Sequence, residues 1–221
     1  MTDKNANDSS QRESFLVAFW SRLFDVLSRI SIFNLIRITV PRLVGWYAFV
    51  DVWVIFHSLL ALSTFVITVY KQDELLLWFL VIYGLTRSWE ILIYQLNVLL
   101  FASFRAQKKN KDFKVLSFER LVLALAHNYF EIALWFASAF VFFSHSIQID
   151  AINALDIFRN SFTGMITVGM DGISALDFGG TILIICHTFV GLTLTLLALA
   201  RIINLLPGFK SKVEHEQDPE S

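Results

Sequence analysis

Charge is what this 221-residue chain has least of. Asp, Glu, Lys and Arg make up 17% of it, where soluble domains carry about a quarter, so a soluble fold of this length would have too little polar surface to cover itself. The charges present nearly cancel, 18 basic against 19 acidic for a net of −1, which removes any bulk electrostatic case for nucleic acid as a partner. There is one cysteine, Cys186. No intrachain disulfide is available to it, and its place inside an apolar run predicts a packing role. Neither an HExxH metal spacing nor a Gly-x-Ser-x-Gly elbow occurs, and the histidines are scattered over different stretches; no enzyme chemistry, resident metal or cofactor is expected.

What the chain has is apolar mass. It is 56% hydrophobic with 22 Phe and 6 Trp, and aromatics suit lipid-facing and interfacial surfaces. The composition predicts an all-α membrane protein. Residues 1–13, MTDKNANDSSQRE, are polar, precede no short apolar core with a small-residue cleavage site, and predict a disordered cytoplasmic tail. In 14–42, Leu16, Phe19, Trp20, Leu23, Leu27 and Ile30 recur at helical spacing, with Arg22, Asp25 and Arg29 opposite them. That pattern predicts an amphipathic helix lying in the membrane interface, ended by Pro41. A spanning helix is the alternative, but three arginines (Arg37 included) and an aspartate make it costly.

Four apolar stretches follow, about 43–70, 75–104, 116–144 and 180–206, each longer than the roughly 20 residues that cross a hydrocarbon core. The link 105–114 carries Arg105, Lys108, Lys109, Lys111 and Lys114, and positive loops stay cytoplasmic. Arg37 and Arg42 before the first stretch agree, as do Arg201, Lys210 and Lys212 at the end of the fourth. The expectation is a multi-pass protein of the cell membrane with both termini cytoplasmic and a tail over 207–221. The basic link fixes topology in this reading; attraction of anionic lipid is the alternative.

Between the third and fourth stretches lies a segment of another kind: polar 147–153, a short helix-like run over 154–166, then Thr167-Val168-Gly169-Met170-Asp171-Gly172. A helix of about ten residues cannot span a bilayer, so this piece is expected to dip in and return, which requires burial in protein or a water-lined cavity. The stretch from Phe158 to Leu206 resembles the pore region of potassium-channel-like proteins, with Thr167, Val168 and Gly169 at the start of the filter, Ser161 and Phe162 at common pore-helix positions, and Gly191 where many inner helices carry a hinge glycine. The resemblance covers about a quarter of the chain. It implies four transmembrane helices with a re-entrant pore helix and filter loop between the third and fourth, a pore module over 116–206 behind two peripheral spans and the basic loop in 43–115, and a homotetramer in the lipid bilayer. Four copies would turn backbone carbonyls inward to replace an ion's water shell, with glycine allowing the backbone angles this needs. An ordinary Asp-Gly turn is the plainer reading of the motif.

The motif departs from that family at Met170 and Asp171. Met170 lacks the hydroxyl that ties such filters to the pore helix, and Asp171 stands where glycine is usual; four Asp171 carboxylates would ring the outer mouth and concentrate cations. Permeant K⁺, Na⁺ or Ca²⁺ with weak K⁺ selectivity is therefore expected. Ionisable residues within the apolar stretches are functional candidates: Asp51, His57, Arg87, Glu90, His127, Glu131 and His187. By helix rise His57, Arg87, Glu90 and Glu131 fall at similar depth, and Arg87 is expected to pair with Glu90 or Glu131 in a buried polar cluster. That cluster reads as an interhelical clamp, or alternatively as a gate or proton sensor. Thr188, Thr193 and Thr195 are candidate lining hydroxyls, unless they bond their own backbone. No arginine at every third position marks a voltage sensor. The competing functions are a non-conducting scaffold that keeps the pore fold and a small proton-coupled transporter, the latter disfavoured because no internal repeat is apparent and helix breaks are few.

Overall fold

The computed structural model describes residues 15–29, 47–70, 74–98 and 118–205. Six helices and two short strands occur among them: α1 Phe15–Arg29, α2 Tyr47–Tyr70, α3 Glu74–Leu96, α4 Phe118–Phe142, β1 Ile147–Ile149, α5 Ala154–Met165, β2 Ile173–Ala175 and α6 Phe178–Leu205. The expected tails over 1–13 and 207–221, the Pro41 break and the basic link 105–114 lie outside the described residues.

Among the described residues, three helices are long and apolar enough to cross a membrane: α2 over Ala48–Tyr70, α3 over Leu75–Leu96 and α6 over Phe178–Ile203. Their spans are only 28%, 39% and 28% buried within the chain, so most of their apolar surface needs an apolar solvent. That makes the chain a membrane-embedded protein. The fourth expected stretch, now α4, is 25 residues long but does not join that set. Composition sets it apart, with His127, Asn128 and Glu131 inside the helix, and so does its place in the bundle. Every residue from Glu131 to Phe140 is buried, with α2, α3, α5 and α6 all packed against it. The enclosed half of α4 can carry the ionisable Glu131 at low cost, because protein and not lipid surrounds it there, while Leu123, His127 and Phe130 nearer its start stay exposed.

The core gathers around α4. Trp135, Phe136 and Phe140 are fully buried, and the Trp135 indole lies where a Cβ on Gly84 of α3 would stand. The smallest side chain thus lets α3 approach the largest. On α1, Phe19, Trp20 and Leu23 remain uncovered by the rest of the chain.

The all-α expectation misses one feature. β1 and β2 pair antiparallel, with Ile147 opposite Ala175, Gln148 opposite Ser174 and Ile149 opposite Ile173. The ladder is extended by Asp150 N–H to the Gly172 carbonyl (2.8 Å) and Leu176 N–H to the Ser146 carbonyl (2.9 Å). Alternating β-branched residues suit a short strand whose inner face is buried, and Ile147 and Ile173 are both buried. The ladder clamps together the two ends of the segment that holds α5.

Candidate functional site

α5 starts on a reciprocal cap. The Asn153 side chain accepts the Asp156 N–H (3.0 Å), and the Asp156 carboxylate accepts the Ile152 N–H (3.2 Å), two donors that a helix start otherwise leaves unmet. The buried face is Ile157, Asn160, Ser161, Gly164 and Met165. From it the Ser161 hydroxyl donates to the Ala133 carbonyl of α4 at 2.8 Å. The Ser161 carbonyl accepts from His187 Nε2 of α6 at 3.0 Å. A carbonyl only accepts, so the neutral His187 ring carries its proton on Nε2. The ring is edge-on to Phe136 and Phe140, centroids 4.9 and 5.2 Å away.

The helix ends halfway down the bundle. Met165 lies against Gly191 so closely that a Cβ on the glycine would overlap the Met165 backbone. Gly191 is the fourteenth residue of the 28-residue α6. The expected hinge position is therefore a packing contact between two backbones.

Residues 166–172 then return toward β2. The N–H groups of Ile166, Thr167 and Val168 donate to the carbonyls of Phe162 (3.4 Å), Gly164 (3.2 Å) and Thr163 (3.0 Å), using the acceptors that the end of α5 leaves open. Thr167 has φ 61°, the one non-glycine residue with positive φ among those described, and Gly169 has φ 128°. A β-branched residue there is strained by about 1–3 kcal/mol and persists only where the surroundings hold it. The three bonds do so.

Two α5 side chains hold the rest of the loop. Thr163 Oγ1 lies 2.8 Å from the Gly169 carbonyl and 2.9 Å from the Arg159 carbonyl of its own helix, and its one proton is shared between the two acceptors. Asn160 Oδ1 accepts the Gly172 N–H at 3.3 Å, while its Nδ2 donates to the Asp156 carbonyl at 2.9 Å. Met170 folds back over Gly164, where an added Cβ would come within 2.6 Å of the Met170 sulfur and 2.9 Å of His187 Cε1. Of the five expected filter residues, Thr167, Val168, Gly169 and Asp171 are exposed, Val168 at 74%, and Met170 is half-buried. Asn160 and Thr163 escaped sequence reasoning. Their signal was polarity at i and i+3 on a short helix, the spacing that puts both on one face.

The second site joins α3 to α4. Arg87 donates through Nη1 to Glu90 Oε2 (2.9 Å) and through Nε to Glu131 Oε1 (3.3 Å), pairing with both carboxylates. Glu131 is fully buried and also accepts the Trp135 indole N–H at 3.3 Å. The Arg87 guanidinium sits 5.9 Å from the centre of the Trp53 ring, within cation–π range. His57 belongs to the same neighbourhood but touches neither carboxylate. Its Nδ1 bonds the Trp53 carbonyl (2.8 Å), and its Nε2 accepts the Tyr83 hydroxyl (2.6 Å). Nothing in the sequence pointed to Tyr83. Asp51 and His127 face outward, away from the cluster. Thr193 bonds its own backbone at Phe189, whereas Thr195 meets the Tyr129 hydroxyl (3.1 Å) and the Met165 carbonyl (3.5 Å); Thr188 is half-buried.

Against this geometry, no protein-family model, no curated protein and no solved structure matches the chain.

Proposed function

We propose that this chain is one subunit of a homotetrameric cation channel of the potassium-channel-like, pore-loop type. In this reading α4 is the outer helix, α5 the pore helix, 166–172 the filter and α6 the inner helix, with α2 and α3 peripheral. α4 crosses the bilayer as a fourth span inside a shell of its neighbours, α1 lies in the interface, and both termini are cytoplasmic at the cell membrane.

One observation carries the reading. A short capped helix descends to the midpoint of α6, stops against Gly191, and the chain returns through a loop whose backbone angles at Thr167 and Gly169 are positive. An exposed loop at mid-bundle depth in a membrane-embedded chain needs either protein around it or water. Four copies around an axis supply both. Asp171, exposed at the top of the loop, then forms a carboxylate ring that concentrates cations. Met170 packs on Gly164 without a hydroxyl to hold the loop's width, and the pore accordingly passes Na⁺ or Ca²⁺ beside K⁺.

A non-conducting membrane subunit that keeps the pore fold is the second reading. The Gly169 carbonyl favours it, being held by Thr163 rather than free to face an ion. Purified protein in liposomes distinguishes the two. Cross-linked tetramers that pass K⁺, Na⁺ and Ca²⁺, with Ca²⁺ flux reduced in Asp171→Asn, are expected. Strict K⁺ selectivity would overturn the altered-filter assignment, tetramers without flux would establish the second reading, and a monomer would end both.

A further inference from the structure

A cavity of about 410 Å³ opens between α3, α4 and α6, within the size range of small-ligand sites and outside both sites described above. Its body is apolar, lined by Leu85 and Trp89 from α3, Phe136 from α4 and Leu183 and Cys186 from α6. Polar groups occur at one end only, where His145, Ser146 and Gly180 line it. The Asp177 carboxylate lies just behind, accepting the Ser146 hydroxyl at 2.8 Å and the Gly180 N–H at 2.7 Å. From Gly179 to Cys186 the lining follows α6 for about 10 Å at a rise of ~1.5 Å per residue. Its side walls are formed by the uncovered faces of α3 and α6, where Trp89 and Ile182 are 38% and 45% exposed.

We propose that this cavity is a binding site for one zwitterionic phospholipid, whose acyl chain fills the apolar body and whose headgroup rests at the His145–Ser146 end. The polarity gradient carries the argument. An acyl chain asks for a dry slot that opens sideways onto lipid-facing helices and becomes polar at a single end, which is what α3, α4 and α6 build. That end holds groups of both kinds a zwitterionic headgroup meets: His145 and Ser146 line it, and the Asp177 carboxylate, bonded to Ser146 and Gly180, adds a negative charge beside them. In a membrane-embedded chain, acyl chains are what a slot opening sideways between apolar helices meets first, and a second copy covering it is the outcome the cross-linking arm below reads. The site stands apart from the pore reading, since it needs only that the chain be membrane-embedded.

The test uses full-length protein in nanodiscs of phosphatidylcholine, a fraction of it carrying a diazirine midway along one acyl chain. After photolysis, residue-level mass spectrometry is expected to find adducts concentrated at Leu85, Leu183 and Cys186. Cys186→Phe, which fills the slot, is expected to lose the Leu85 and Leu183 adducts while keeping those at lipid-facing Phe79, and the persistence at Phe79 reports a folded, inserted variant. Adducts spread evenly over Phe79, Leu196 and the cavity in the unmodified protein would overturn the proposal, as would cavity adducts unchanged by Cys186→Phe. A short bis-maleimide that links two chains through Cys186, the sole thiol, would assign the slot to a second copy instead.

Discussion

Gly191 of α6 and Met165 of α5 meet backbone to backbone, at the one place where the short helix ends and α6 is half complete. The contact sets how deep α5 reaches and so where the loop after it turns. It also gives the expected hinge glycine a packing role.

Gly191→Ala is expected to push α5 off α6. Overpacking of this kind costs about 1–3 kcal/mol, and more where the obstacle is backbone. The check is the thermal unfolding midpoint in detergent, which should fall, together with loss of the cross-linked oligomer. A hinge would behave otherwise, with an unchanged midpoint and altered flux.

Arg87 holds two carboxylates, and Glu131 has no exposure at all. Arg87→Ala should therefore destabilise by about 3–5 kcal/mol, because it strands a buried charge. Combining Arg87→Met with Glu131→Gln should recover most of that loss. Size-exclusion profiles and unfolding midpoints of the single and double variants measure both. If the cluster is a sensor, Arg87→Ala instead leaves an intact assembly whose flux responds differently to pH.

Thr163→Val removes the hydroxyl that holds the Gly169 carbonyl while preserving shape. The liberated carbonyl is then available to an ion, and the loop loses a hydrogen bond worth about 0.5–1.5 kcal/mol. Cation flux through reconstituted protein should change, with only a small shift in unfolding midpoint. Flux and selectivity identical to the unmodified protein would mean that this carbonyl has no part in conduction.

Asp177 links the chain before β1 to the start of α6. Its carboxyl is held below the ordinary value of 3.8, first by the Gly180 N–H and then by the Ser146 hydroxyl. A depressed folded-state value makes its stabilising effect fully present above about pH 4 and lost as pH falls through the folded value. Asp177→Ala should thus lower the unfolding midpoint by a constant amount between pH 7 and pH 5. The gap should narrow below pH 4, which thermal scans across that range will measure.

Much of the architecture was legible in the chain because it depends on local properties. Helix length and hydropathy marked α2, α3 and α6, and the polar 147–153 followed by a short run marked α5 between two longer helices. The α1 apolar stripe was equally plain. Helix rise alone placed Arg87 near Glu90 and Glu131, since it is regular enough to compare positions on neighbouring helices. Three things were not legible. The β1–β2 ladder joins residues 24 to 28 positions apart across α5, and pairing at that separation leaves no local pattern in three-residue strands. Asn160 and Thr163 look like ordinary polar helix residues until the loop is folded back onto them. His57 chooses Tyr83 over a carboxylate because side-chain direction, and not depth, decides which neighbour it reaches.

The sequence alone determined that this is a membrane protein with a short helix and a Gly-rich turn set between long apolar helices, because composition and run length do not depend on neighbours. Tertiary structure decided that the half of α4 from Glu131 to Phe140 is enclosed by its neighbours, and that enclosure is why Glu131 is fully buried. It decided that Gly191 is a contact and that the Gly169 carbonyl is held by Thr163. Each depends on which surfaces approach within hydrogen-bond or van der Waals distance, and only the packed chain specifies that.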